Sequence, residues 1–142
     1  MTQPQAMSQE QMTQWVRSQF QRANKHLAEN GVIFDSVVTE ECRYLAPYVA
    51  VWKIKALDKK FYWVISGDLP CDFMPYESEK NARDVLRRFS FQWQLKAQDI
   101  EESGNIDKTQ KQFAEMLVTR AEGLYALYNQ EDLWKEIKGG KA

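Results

Sequence analysis

The sequence predicts an α+β fold with elements in the order α-β-β-β-α-α: an N-terminal helix, a three-stranded antiparallel meander, and two C-terminal helices packed on the sheet. Three observations carry that expectation. Apolar residues recur with a period near 3.6 at both ends of the chain, whereas the middle is β-branched and partly alternating. Helix- and strand-breaking residues punctuate the joints, at Asn30-Gly31, Pro47, Gly67, Pro70 and Ser103-Gly104.

The first helix is expected over 9–29. Ser8 stands three residues before Gln11 in a capping-box arrangement, and Met12, Trp15, Val16, Phe20, Ala23 and Leu27 follow at helical spacing. Asn30-Gly31 stops it, since both residues tolerate the left-handed C-terminal cap. "VIFDSVVTEECRYLAP" reads as one strand that Pro47 ends. In "YVAVWKIKAL" the residues Ala50, Trp52, Ile54 and Ala56 point one way, Lys53 and Lys55 the other. Asp58-Lys59 signals a turn, and "FYWVIS" is apolar on both faces, as a doubly covered strand would be. From Ser78 to Glu102 the helical period returns with Ala82, Val85, Leu86, Phe89, Trp93 and Ile100 on one face. "SGN" at 103–105 breaks it. Asp107 opens a third helix striped by Phe113, Leu117, Ala121, Leu124 and Tyr128, and "QEDLWKEI" adds a final turn or two.

The 142 residues suit a single domain over 1–142, with 1–7 and 139–142 as flexible ends. At 44% hydrophobic residues the chain has enough apolar material for a core without staples. A net charge of −1 lacks the basic excess of a nucleic-acid binder. Cys42 and Cys71 match no zinc or redox spacing and are expected to be reduced. The polar N-terminus does not have the layout of a signal peptide, and no stretch has the length of a membrane span, so a soluble cytoplasmic protein without a cofactor is expected.

The segment 66–84, "SGDLPCDFMPYESEKNARD", holds most of the candidate chemistry. As structure, it is a turn: Gly67 supplies positive φ, Asp68 a local side-chain turn, Pro70 a fixed φ, and Asp72 and Glu77 precede a helix whose dipole favours carboxylates. As a site, Asp68 and Asp72 would be paired carboxylates flanking Cys71. That pairing needs a third ligand or a base, and the lone histidine, His26, is far away in sequence, so no metal site is expected. Arg83, Arg87, Ser90 and Gln94 form a row on the second helix that could hold a phosphate or carboxylate, although Glu79–Arg83 and Lys80–Asp84–Arg88 would serve equally as surface ion pairs. Phe91 and Leu95 lie roughly opposite the Phe89/Trp93 stripe. Either the third helix or a second subunit should cover them.

"WVISGDLPCDF" followed by "ARDVLRRFSFQWQLKA", with "RYLAPYVAVWK" upstream, resembles a bacterial family of uncharacterised proteins of about 140 residues, a domain of unknown function. The resemblance spans nearly the whole chain and implies a single bacterial cytoplasmic domain. It transfers no site residue. The sequence thus favours a non-enzymatic binding or protein-interaction module, expected to be a homodimer. The alternative is a small enzyme or anionic-ligand-binding protein with a pocket between the 67–77 loop and the Arg83/Arg87 helix.

Overall fold

The structure is a computed structural model that describes residues 7–75 and 79–135. It divides into two compact units, Met1–Ala82 and Arg83–Ala142.

The first unit is a helix on a sheet. Helix α1 spans Gln9–Glu29. The expected capping box closes its start: the Ser8 hydroxyl accepts the Gln11 N–H at 3.1 Å, and the Gln11 side-chain carbonyl accepts the Ser8 N–H at 2.9 Å. Gly31, at φ +83°, lets the chain turn back so that the Val32 N–H reaches the Leu27 carbonyl. Among the described residues five strands follow: β1 Phe34–Val37, β2 Arg43–Leu45, β3 Val49–Ala56, β4 Phe61–Gly67 and β5 Asp72–Pro75. All their pairings are antiparallel, in the order β1-β3-β4-β5, with β2 also on β3.

The sheet is therefore larger than the expected three-stranded meander, for two physical reasons. The single strand read over 32–47 is interrupted by a 3-10 turn at Thr39–Glu41, so β1 pairs with the Ile54–Ala56 end of β3 and β2 with its Val49–Val51 end. Cys42 fills the break. Its sulfur accepts the buried Lys53 N–H at 3.3 Å and donates to the Val38 carbonyl at 3.4 Å. The second addition is β5, which forms where a turn into a helix was expected. Asp72 pairs with Ile65 of β4, so it lies in a strand and not at a helix entrance. Glu77, its expected companion, lies outside the described residues, as do the leader and tail apart from Met7.

The alternation of β3 holds. Ala50, Trp52 and Ile54 join Val64 of β4 and Ala23 and Leu27 of α1 in one cluster, against which Trp15, Val16, Phe20, Phe34 and Tyr44 pack. The edge-to-face contacts of Phe20 with Phe34 and with Trp52 lock α1 to the sheet. The opposite face of β3 and β4 is buried too, at Val49, Val51, Trp63 and Ile65. Lys53 takes that opposite face as expected and is only 7% exposed. Its ammonium is compensated by Glu41, 3.1 Å away, and lies over the Phe61 ring.

The β3–β4 hairpin turns at Leu57–Lys60. Lys59 adopts φ +73°, and Asp58 organises the turn by accepting the Lys60 N–H and the Tyr62 hydroxyl, each at 2.8 Å. The Lys60 N–H first, then the Tyr62 hydroxyl, holds the Asp58 carboxyl below the usual aspartate range. A depressed folded-state pKa means that this contribution is full above about pH 4, the unfolded aspartate value, and is lost as pH falls through the lowered pKa.

The second unit is a helical hairpin. Helix α2 spans Ala82–Glu102 and α3 spans Lys108–Tyr128, with residues 131–135 helical beyond it. The pairs that join them, Ser90 with Ala121 and Arg83 with Tyr128, run in opposite senses along the two helices, which makes them antiparallel. Helix α2 begins at Ala82, later than expected, so Glu79 and Lys80 precede it. Asp107 caps α3 with a reciprocal Gln110 contact. Of the stripe expected on α3, Leu117, Ala121 and Leu124 are buried beside Ala114, while Phe113 is exposed under Lys96.

Two substitutions test the hairpin ends. Gly67, at φ +139°, has no room for a Cβ: it would overlap the Tyr48 carbonyl oxygen and lie 2.7 Å from the Val49 Cα. Gly67→Ala is expected to cost at least about 2 kcal/mol in denaturant unfolding, since two backbones must separate. Lys59→Gly should instead raise stability by about 0.5–1 kcal/mol, as the left-handed strain of an L-residue is relieved against a smaller entropic cost.

Candidate functional site

The sequence-predicted residues divide between the units. Asp68, Asp72 and Cys71 belong to the first, Arg83, Arg87, Phe91 and Leu95 to the second.

In the first unit the end of β4 is fastened by α1. The Arg22 guanidinium donates to the Gly67 carbonyl at 2.6 Å, to the Leu69 carbonyl at 3.3 Å and to the Gln19 side chain at 3.2 Å. A planar fork is suited to two carbonyls that diverge in this way. Beneath it, the Trp52 indole N–H donates to the Ser66 hydroxyl at 3.2 Å, and that hydroxyl donates to the Gln19 carbonyl at 3.4 Å. Asp68 is exposed, and its backbone N–H donates to the Tyr48 carbonyl at 3.0 Å. The Asp72 carboxylate accepts the Phe73 N–H at 2.8 Å. His26 sits edge-on to the Phe73 ring at 5.7 Å. The loop thus spends much of its polarity on holding its own shape. Arg22 was passed over in the sequence, and its i,i+4 spacing from His26 on the α1 face that meets this loop was the available signal.

Neither thiol is activated. Burial pushes the Cys42 thiol up, against the Lys53 N–H and the Tyr44 hydroxyl. Tyr44 in turn is pushed up to about 12, by burial first and then by the charge of Cys42. Burial also pushes Cys71 up, with Arg22 acting in the opposite direction and Asp72 reinforcing it. Among the described residues, no group of three or more His, Cys, Asp or Glu side chains could hold a metal ion.

In the second unit the row Arg83-Arg87-Ser90-Gln94 is not a uniform solvent face. Arg83 donates from Nε to the Tyr128 carbonyl at 3.0 Å and lies over the Tyr128 and Trp134 rings, which completes the end of α3. Ser90 is buried and donates to the Ala121 carbonyl at 2.7 Å. Arg87 is exposed, its guanidinium 5.8 Å from the centre of the Tyr128 ring. Phe91 and Leu95 are 57% and 45% exposed, so α3 does not cover them. They border a cavity of about 320 Å³ with Gln94, Gln98 and Glu101 of α2 and Val118 of α3. Val118, Gln98 and Glu101 were not singled out in the sequence. The spacing Arg87-Phe91-Gln94-Gln98-Glu101, alternately four and three, marks that seam on α2.

Two measurements follow. Maleimide labelling of native protein near pH 7 should modify Cys71 more slowly than an unstructured peptide thiol, because the thiolate is disfavoured. Labelling faster than the peptide would show an activated thiol. Arg22→Ala should cost about 1.5–3 kcal/mol in chemical unfolding, the scale of hydrogen bonds to charged groups, with Arg22→Lys recovering only part because it lacks the fork.

No helix among the described residues is long and apolar enough to cross a membrane. No curated protein and no solved structure matches the chain. A family model described as Domain of unknown function (DUF4826) matches residues 9–134, running through both units. With all but the two ends matched, the chain belongs to that family of unknown function.

Proposed function

We propose that this chain is a non-enzymatic, cytoplasmic protein-interaction module whose binding surface is the outer face of α2 and α3. The single observation that carries the reading is the exposure of Phe91 and Leu95 beside an open cavity on a helical hairpin. Two large apolar side chains held in water beside a cleft, with Gln94, Gln98 and Glu101 as a polar rim, have the make-up of an interface core and its border. The loop around Asp68 and Asp72 supports the non-enzymatic side, since its neighbours Arg22, Gln19 and Ser66 are engaged in fixing α1 to β4. Free thiols at Cys42 and Cys71 agree with a reducing compartment. The family match through both units supports treating the chain as one functional domain.

A photo-cross-linking residue at Gln98, on the cavity wall, tests this in living cells. Light-dependent adducts to a polypeptide, whether this chain or another, are expected. Their absence, with the same residue at Lys25 as the background control, would overturn the reading. In parallel, Phe91→Glu with Leu95→Glu should keep the helical circular dichroism, because exposed positions contribute little to the core.

A further inference from the structure

Resting on that reading of the α2–α3 face, we infer that its occupant is a second copy of this chain, laid antiparallel across α2 with the two-fold axis passing near Gln94. The first argument is shape. A surface that meets its own copy must carry both a projection and a recess. This face has both: the Phe91 ring projects, and the cavity between Leu95, Gln98 and Val118 lies beside it on the same side of the hairpin.

The second argument is charge. Arg87 and Glu101 are exposed and stand at opposite ends of the seam, each seven residues from Gln94. At a helical rise of 1.5 Å each lies about 10 Å along the axis from the middle. In an antiparallel crossing centred on Gln94, the Arg87 of each copy meets the Glu101 of the other. In a parallel crossing Arg87 would face Arg87 and Glu101 would face Glu101, and the like charges would oppose association. The same two residues thus favour one orientation and disfavour the other. Between them, Phe91 of each copy comes opposite the Gln94–Gln98 stretch and reaches the recess. Gln94 meets its own counterpart, an amide pair that can donate and accept at once.

Sedimentation over micromolar concentrations tests the pairing. Wild type should be a dimer. Arg87→Glu and Glu101→Arg should each weaken it by about tenfold or more, while the double exchange Arg87→Glu/Glu101→Arg restores it. Orientation is read separately by one cysteine added at a time to a Cys71→Ser background, with buried Cys42 kept, under mild oxidation: Gln94→Cys should form a cross-linked dimer, whereas Arg87→Cys and Glu101→Cys alone should not. A monomeric wild type, single reversals without effect, failure of the exchange to restore a folded variant, or equal cross-linking at all three positions would each overturn the inference. Should either charge variant not fold, Phe91→Ser serves in its place and is expected to leave a folded monomer; a folded Phe91→Ser dimer would overturn it as well. Gln98 adducts to another protein beside a monomeric wild type would leave the interaction reading standing and end the self-pairing. No adducts and a monomer would end both.

Discussion

The close approach of Gly67 to the Tyr48–Val49 backbone is the constraint on which the first unit depends. Without a side chain at that position, the end of β4 lies directly against the turn that joins β2 to β3. That contact aligns the Asp68 N–H with the Tyr48 carbonyl and presents the Gly67 and Leu69 carbonyls to Arg22. One position thereby ties together the β2–β3 turn, the β4–β5 loop and α1. The indole of Trp52 sits beneath this junction, so the aromatic core of the α1 layer is in register with it.

Polar groups inside the chain are matched to partners. Among the described residues no buried side-chain nitrogen or oxygen lacks a hydrogen bond. Trp63 donates to the Glu79 carbonyl, Trp134 to the Leu127 carbonyl, and Ser90 to Ala121. A buried polar group left without a partner costs more than a hydrogen bond usually returns, so such matching fixes one arrangement of elements over its competitors. It also means that the polarity of the 66–72 segment is mostly committed. On α2, by contrast, two large apolar side chains, Phe91 and Leu95, stay 57% and 45% exposed.

Both long-period signals and turn residues were legible. Helix α1 matches its expected span because the Ser8-Gln11 pair and the apolar stripe coincide, and Asp107 marks the start of α3, whereas α2 starts later than its apolar stripe suggests. What escaped was the division of the first strand and the presence of the last. A 3-10 turn of three residues carries almost no periodic signal, and β5 is four residues that read as loop because Pro70 precedes them and Pro75 ends them. The face of Lys53 was legible but its burial was not, since alternation reports which face a side chain takes and not whether that face is wet. On the candidate sites, the exposure of Phe91 and Leu95 could be anticipated from the 100° step. The cavity beside them could not, because Val118 reaches it only through the antiparallel pairing of α2 with α3. Arg22 was hidden for a similar reason, since its partners are backbone carbonyls some 45 residues later in the chain.

The break at Thr39–Glu41 has a bearing on how the molecule behaves among its neighbours. A sheet rim with an unbroken row of free amide and carbonyl groups is a template onto which any extended peptide can zip. Here one rim is split into segments of four and three residues that the Cys42 turn interrupts, and the other is a four-residue strand ending in Pro75. Neither offers a run long enough for a foreign strand to grow on. The thiol that fills the gap, bonded to Lys53 on one side and Val38 on the other, is thus part of what keeps that rim short and interrupted.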